Sequence, residues 1–180
     1  IATDGTYTKS SGYIWTISGK NGTAEKPITI QALNPKKAIL DARYVNNIAL
    51  SINYSSYIVI DGFEIKRAKN DGIQISGINS SGTLTTSNHI TVKNCEIHSQ
   101  NSKFLGDCAT GGVMCGVWTN PYTEYITFES NVIHDNGKAP GSCVMNSDPT
   151  SAASIASIDH LYRHDHGLYL QGKGHIVRKN

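Results

Sequence analysis

One ten-residue pattern recurs along this chain, and it narrows the possible folds more than any other feature. It reads Tyr-Ile-Val-Ile-Asp-Gly-Phe-Glu-Ile-Lys at 57–66 and His-Ile-Thr-Val-Lys-Asn-Cys-Glu-Ile-His at 89–98. It returns as Tyr-Ile-Thr-Phe-Glu-Ser-Asn-Val-Ile-His at 125–134, and a fourth copy starts at His175 and stops at Asn180. The starts (57, 89, 125 and 175) lie 32, 36 and 50 residues apart, so segments of unequal length separate the copies. A repeated unit of this size marks a solenoid, in which each coil covers the open edge of the one before.

Within a copy, alternation places Ile58 and Ile60, Ile90 and Val92, and Ile126 and Phe128 on one face, the period of a strand. The pairs Asp61-Gly62, Lys93-Asn94 and Glu129-Ser130 then favour a sharp bend. Alternation resumes with Phe63 and Ile65, Cys95 and Ile97, and Asn131 and Ile133. A third short strand is predicted after each copy, at Gly72–Ile75, Gly116–Trp118 and Gly167–Leu170. No three- or four-residue apolar spacing supports a helix. Three strands per coil joined by turns is the plan of an all-β, right-handed parallel β-helix, a single-stranded solenoid.

The chain resembles the pectin-lyase-like β-helix superfamily, and in particular its polysaccharide-lyase-like branch. The opening segments Gly5-Thr6-Tyr7, Ile17-Ser18-Gly19, Lys26-Pro27-Ile28-Thr29-Ile30-Gln31-Ala32 and Ala38-Ile39-Leu40-Asp41 look like the first coils of that branch. The resemblance implies one domain over 1–180, with entry coils at 1–56 and repeated coils at 57–180. It implies a secreted, extracellular protein, with further coils and a cap beyond Asn180. The alternative expectation is a module whose open last coil meets another chain end to end.

Composition limits the partners. Charged residues make up 17% of the chain and the net charge is +2, with no run of Lys or Arg, so nucleic acid is not an expected partner. No apolar stretch approaches the ~20 residues of a membrane span. Cys95 takes the inward slot of Phe63 and Asn131, whereas Cys108, Cys115 and Cys143 fall in connections that can hold one disulfide in an exported protein. Glycosylation sequons stand at Asn21, Asn53 and Asn79.

Stacking turns equivalent positions into rows ~4.8 Å apart. The row Asp61, Lys93, Glu129 and, with direct stacking, Lys179 is read as a structural charge ladder. Glu64 above Glu96 juxtaposes like charges, compensated by solvent and lysines or by a bound Ca²⁺. Lys66, His98 and His134 form a third row, with Arg67 and Lys69 close by.

β-Elimination on a uronate needs a base for the C5 proton and a cation for the carboxylate, which these side chains supply. The competing reading is a merely basic corner. The connections after successive copies lengthen: 8 residues from Ile65 to Ile73, 20 from Ile97 to Val117 and 35 from Ile133 to Leu168. They make this side the expected site. A second insertion, 77–87, reads as a polar loop.

The run 159–167 carries Arg163, His164, Asp165 and His166, a second acid–base candidate with Asp165 orienting an imidazole. Trp118, Tyr122 and Tyr169 are candidate sugar platforms, or packing residues. The adjacent-Asp calcium cluster of some family lyases is absent, with Asp71 and Asp107 standing alone, as are the Asp motifs of the related hydrolases. The expected function is a carbohydrate-active protein that binds an acidic polysaccharide and cleaves it by β-elimination. A non-catalytic adhesin-like or filament-forming module is the alternative.

Overall fold

The structure, a computed structural model, describes residues 1–100, 114–137 and 165–180. Those residues are all-β, with no helix among them, and have the arrangement of a parallel β-solenoid. Three five-stranded sheets dominate. Sheet I contains Gly5–Tyr7, Ala38–Asp41, Glu64–Lys66, Glu96–His98 and Val132–His134. Sheet II contains Ile28–Gln31, Ile58–Asp61, Thr91–Lys93, Thr127–Glu129 and Ile176–Arg178. Sheet III contains Trp15–Ser18, Ile48–Asn53, Asp71–Ser76, Met114–Thr119 and Asp165–Tyr169. Neighbours in each sheet pair in parallel.

The period-2 pattern explains the core. Each sheet sends one apolar row inward: Leu40–Ile65–Ile97–Ile133 from sheet I, Ile60–Val92–Phe128 from sheet II, and Leu50–Ile73–Val117–Leu168 from sheet III. Most of these side chains are fully buried, as are Phe63 and Cys95. Each large one contributes roughly 1.5–3 kcal/mol.

The corners create a separate problem, because tight bends bury backbone groups that no strand neighbour satisfies. Polar side chains take up those groups. Asn131 Nδ2 donates to the Val92 carbonyl (3.0 Å), and its Oδ1 accepts from the Cys95 amide (3.0 Å). One rung on, Asn180 repeats this, donating to the Phe128 carbonyl (3.0 Å) and accepting from the Asn131 amide (2.9 Å).

At the far end of sheet I, Gln100 accepts from the Ala68 amide (2.7 Å) and donates to the Ile65 carbonyl (3.0 Å). Asn136 takes the same role toward the Gln100 amide and the Ile97 carbonyl. Ahead of sheet II, Ser55 Oγ accepts from the Lys20 amide and Ser87 Oγ from the Ser55 amide.

The bend falls where the sequence predicts it, with positive φ at Gly62 (79°), Asn94 (55°) and Ser130 (54°). Two expectations are corrected. The fourth copy is shifted by one residue: Ile176 pairs with Thr127, and Arg178 rather than Lys179 pairs with Glu129. The cause lies at the first position of each copy, which takes positive φ at Tyr57 (53°), His89 (51°) and Tyr125 (53°). Gly174 (69°) fills that position, where a Cβ would lie 2.5 Å from the Tyr125 ring. Segment 77–87 is also not a plain loop. It contains an antiparallel hairpin of Ile78–Ser80 and Thr83–Thr85.

Asn131→Ala leaves the buried Cys95 amide without its acceptor and removes a side-chain donor from the Val92 carbonyl. At ~1–3 kcal/mol for an orphaned group, it is expected to cost about 1–3 kcal/mol in denaturant unfolding. An unchanged midpoint would contradict the corner account.

Candidate functional site

The outward face of sheet I carries the candidate site. Because Ile65, Ile97 and Ile133 point inward, their neighbours in sequence point out. The register places Glu64 beside Glu96 and then Val132, and Lys66 beside His98 and then His134. Both rows stand as the repeat predicts.

Like charges in adjacent strands are tolerated here because each carboxylate is held by cations. Glu64 Oε1 accepts from Lys66 Nζ (2.6 Å) and lies 3.2 Å from His98 Nε2. Glu96 Oε1 lies 3.3 Å from His134 Nε2, and its Oε2 is 3.4 Å from Lys36 Nζ. Burial raises the Glu96 carboxyl pKa, but hydrogen bonds from His134 and Lys36 outweigh burial and hold it below its ordinary value.

The two imidazoles stack in parallel with centroids 5.0 Å apart and an interplanar angle of 1°. They differ in their second partners. His134 Nδ1 faces the Asp135 carboxylate (2.8 Å), whereas His98 Nδ1 faces the Ser99 hydroxyl (2.9 Å). The hydrogen bond to Asp135, opposed by burial and helped by Glu96, raises the His134 pKa. With carboxylates on both nitrogens, His134 is built to be an imidazolium. The Ser99 hydroxyl beside His98 can donate as well as accept, which a carboxylate cannot.

The other predicted residues are dispersed. Arg67 is committed to the buried Asp41 through two hydrogen bonds, from Nε (2.8 Å) and Nη2. Lys69 bonds the Asn46 carbonyl through its backbone amide. Trp118 and Tyr169 are in-register neighbours on sheet III, both half-buried, and Tyr122 is exposed. Asp165 and His166 open the last strand of sheet III, opposite Met114 and Cys115. Arg163, His164, Cys108 and Cys143 lie outside the described residues.

Sheets I and III nevertheless share an edge of the chain's path. The two long connections leave sheet I at His98 and His134 and enter sheet III at Met114 and Asp165. Sequence reasoning passed over Asp71 at that entry. It is buried, and its Oδ1 accepts a hydrogen bond from the Cys115 amide (3.1 Å). Burial, only partly opposed by that bond, pushes its pKa up to about 7.

The available signal was the repetition Asp71-Gly72, Cys115-Gly116, His166-Gly167. The glycines belong to this packing: a Cβ on Gly116 would lie 2.6 Å from the Gly167 carbonyl oxygen. Among the described residues, no group of three or more His, Cys, Asp or Glu side chains is placed to hold a metal ion. No family model matches the sequence, and no curated protein or solved structure matches it.

Asp71 sets a pH dependence whose sign follows from its raised pKa. The folded chain keeps a proton that the unfolded chain releases near pH 4, so stability falls as pH rises from about 4 to 7 and is level above that. Asp71→Asn keeps an acceptor for the Cys115 amide and removes this slope. Urea unfolding is expected to show the variant more stable at pH 8, by up to about 4 kcal/mol, with near equality at pH 4. Parallel curves across that range would refute the assignment.

Proposed function

We propose that this chain is a right-handed parallel β-helix with three strands per coil, of the pectin-lyase-like type. We propose further that it acts outside the cell as a polysaccharide lyase on an acidic polysaccharide. The observation that carries the reading is the Lys66–His98–His134 row, in register on one sheet face and locked by Glu64 and Glu96. It offers two kinds of group that elimination requires.

In this reading the uronate carboxylate lies against the His134 imidazolium and the Lys66 ammonium, which stabilise the enolate-like charge. His98 takes the C5 proton, the electron pair forms the C4–C5 double bond, and the C4–O bond breaks. The leaving oxygen then picks up a proton from solvent or from a neighbouring acid. Arg163, His164, Asp165 and His166 are the second candidate group, across the long connections. A Ca²⁺ ion near Glu64 and Glu96 would have to displace Lys66 and His134, so calcium dependence is a variable of the test.

A second reading is a non-catalytic module that assembles by strand addition. It is favoured by the outer charge network, which balances Glu64 and Glu96 with Lys66, His98, Lys36 and His134 without any substrate.

The test is ultraviolet detection of unsaturated uronate from pectate, alginate and chondroitin, with calcium and with chelator. His98→Ala is expected to lower the rate by ~10²-fold or more, and His134→Ala to lower it while His134→Arg restores part of it. Loss in His166→Ala with His98→Ala fully active would move the chemistry to sheet III. No product from any polymer, with the chain forming end-to-end assemblies, would favour the module.

A further inference from the structure

A shallow cleft of about 190 Å³ opens at the corner where sheet II turns into sheet I. Its lining includes Gln31, Leu33, Pro35, Asp61, Gly62 and Asn94, and no cation. Asp61 is fixed there: its Oδ1 accepts from Asn94 Nδ2 (2.8 Å), and its Oδ2 lies 3.4 Å from Lys93 Nζ. Leu33, 56% exposed, and Pro35 give an apolar floor, and Gly62 adds no side chain to fill the space.

Lys36, next in the same turn, reaches Glu96, which holds His134. From Gly62 to Lys66 the chain runs four residues, ~13 Å at most. The cleft and the Lys66–His98–His134 row therefore flank one short strand.

We infer that the cleft is a subsite for one uncharged sugar ring, so that the polymer is a mixed one in which neutral and acidic sugars adjoin. The inference rests on the lyase reading for the acidic partner, and on the cleft alone for the neutral one. A fixed carboxylate flanked by amides suits hydroxyl groups, which can donate to Asp61 and exchange hydrogen bonds with Gln31 and Asn94. The apolar floor suits the C–H face of a pyranose. A uronate would instead bring its carboxylate against Asp61, and the neighbouring Lys93 ammonium is already paired with that carboxylate. The volume is below the ~300 Å³ at which pockets for drug-sized ligands begin, which limits the occupant to a single ring.

The test is an amide NMR titration of the whole chain with neutral monosaccharides (hexoses and N-acetylhexosamines), and separately with glucuronate and galacturonate. At least one neutral sugar is expected to shift the Gly62 and Asn94 amides. Leu33→Asp, at an exposed position, and Asp61→Asn are expected to weaken that response at least fivefold. The inference fails if no neutral sugar moves these amides, if Leu33→Asp leaves the response unchanged, or if the uronates move them as strongly.

The titration needs no turnover, and His98→Ala is expected to leave it intact. Sugar binding without any elimination would remove the lyase reading alone. Elimination of a pure polyuronate with a silent cleft would remove the subsite alone.

Discussion

The structure depends on in-register parallel stacking, and the stacking depends on how buried backbone groups are satisfied at the bends. Inside a sheet the ladder meets that demand without regard to sequence. At a bend it does not, and an orphaned amide or carbonyl costs ~1–3 kcal/mol. Asn131, Asn180, Gln100 and Asn136 each bond a carbonyl and an amide of the preceding rung, while Ser55 and Ser87 cap one amide each. A slip of one residue would strand all of these groups together. It would also turn each apolar row out of the core, so the polar corners and the apolar rows specify the register together.

Fixed register has a consequence on the outer face. Glu64 and Glu96 stand in adjacent strands whether or not their charges agree. Two carboxylates ~5 Å apart repel by ~1–3 kcal/mol at surface-like dielectric. The chain offsets this laterally, with Lys66 and His98 on the first and Lys36 and His134 on the second. The charge network is thus first a solution to a stacking problem. Its chemical interest comes from the asymmetry between the two histidines, one facing a second carboxylate and the other a hydroxyl.

Much of this was legible in the sequence. Period-2 alternation and the repeated bend pair gave the strands of sheets I and II, and the repeat itself gave the Glu64–Glu96 and Lys66–His98–His134 rows. What stayed hidden depends on contacts between rungs. Gln100 and Asn136 look like ordinary loop residues until two coils are laid together. Asn180 was assigned to the wrong position because His175 resembles His89, whereas the backbone needs positive φ at the first position and Gly174 supplies it. Asp71 was discounted because it has no acidic neighbour in sequence. Its perturbation comes instead from burial, which no local pattern reports.

The placement of these groups bears on how such a scaffold acquires chemistry. The row at the carboxyl ends of sheet I and the row at the amino ends of sheet III are joined by the connections that grow from coil to coil. The strands on either side cannot move without losing their ladders, so variation in the length of these connections is confined to the span between them. That confinement lets loops change while Lys66, His98 and His134 keep their spacing on one side and Asp71 and Cys115 keep theirs on the other. Under the proposed lyase function, a rigid pair of rims with a variable span between them lets substrate preference change without disturbing the acid–base groups.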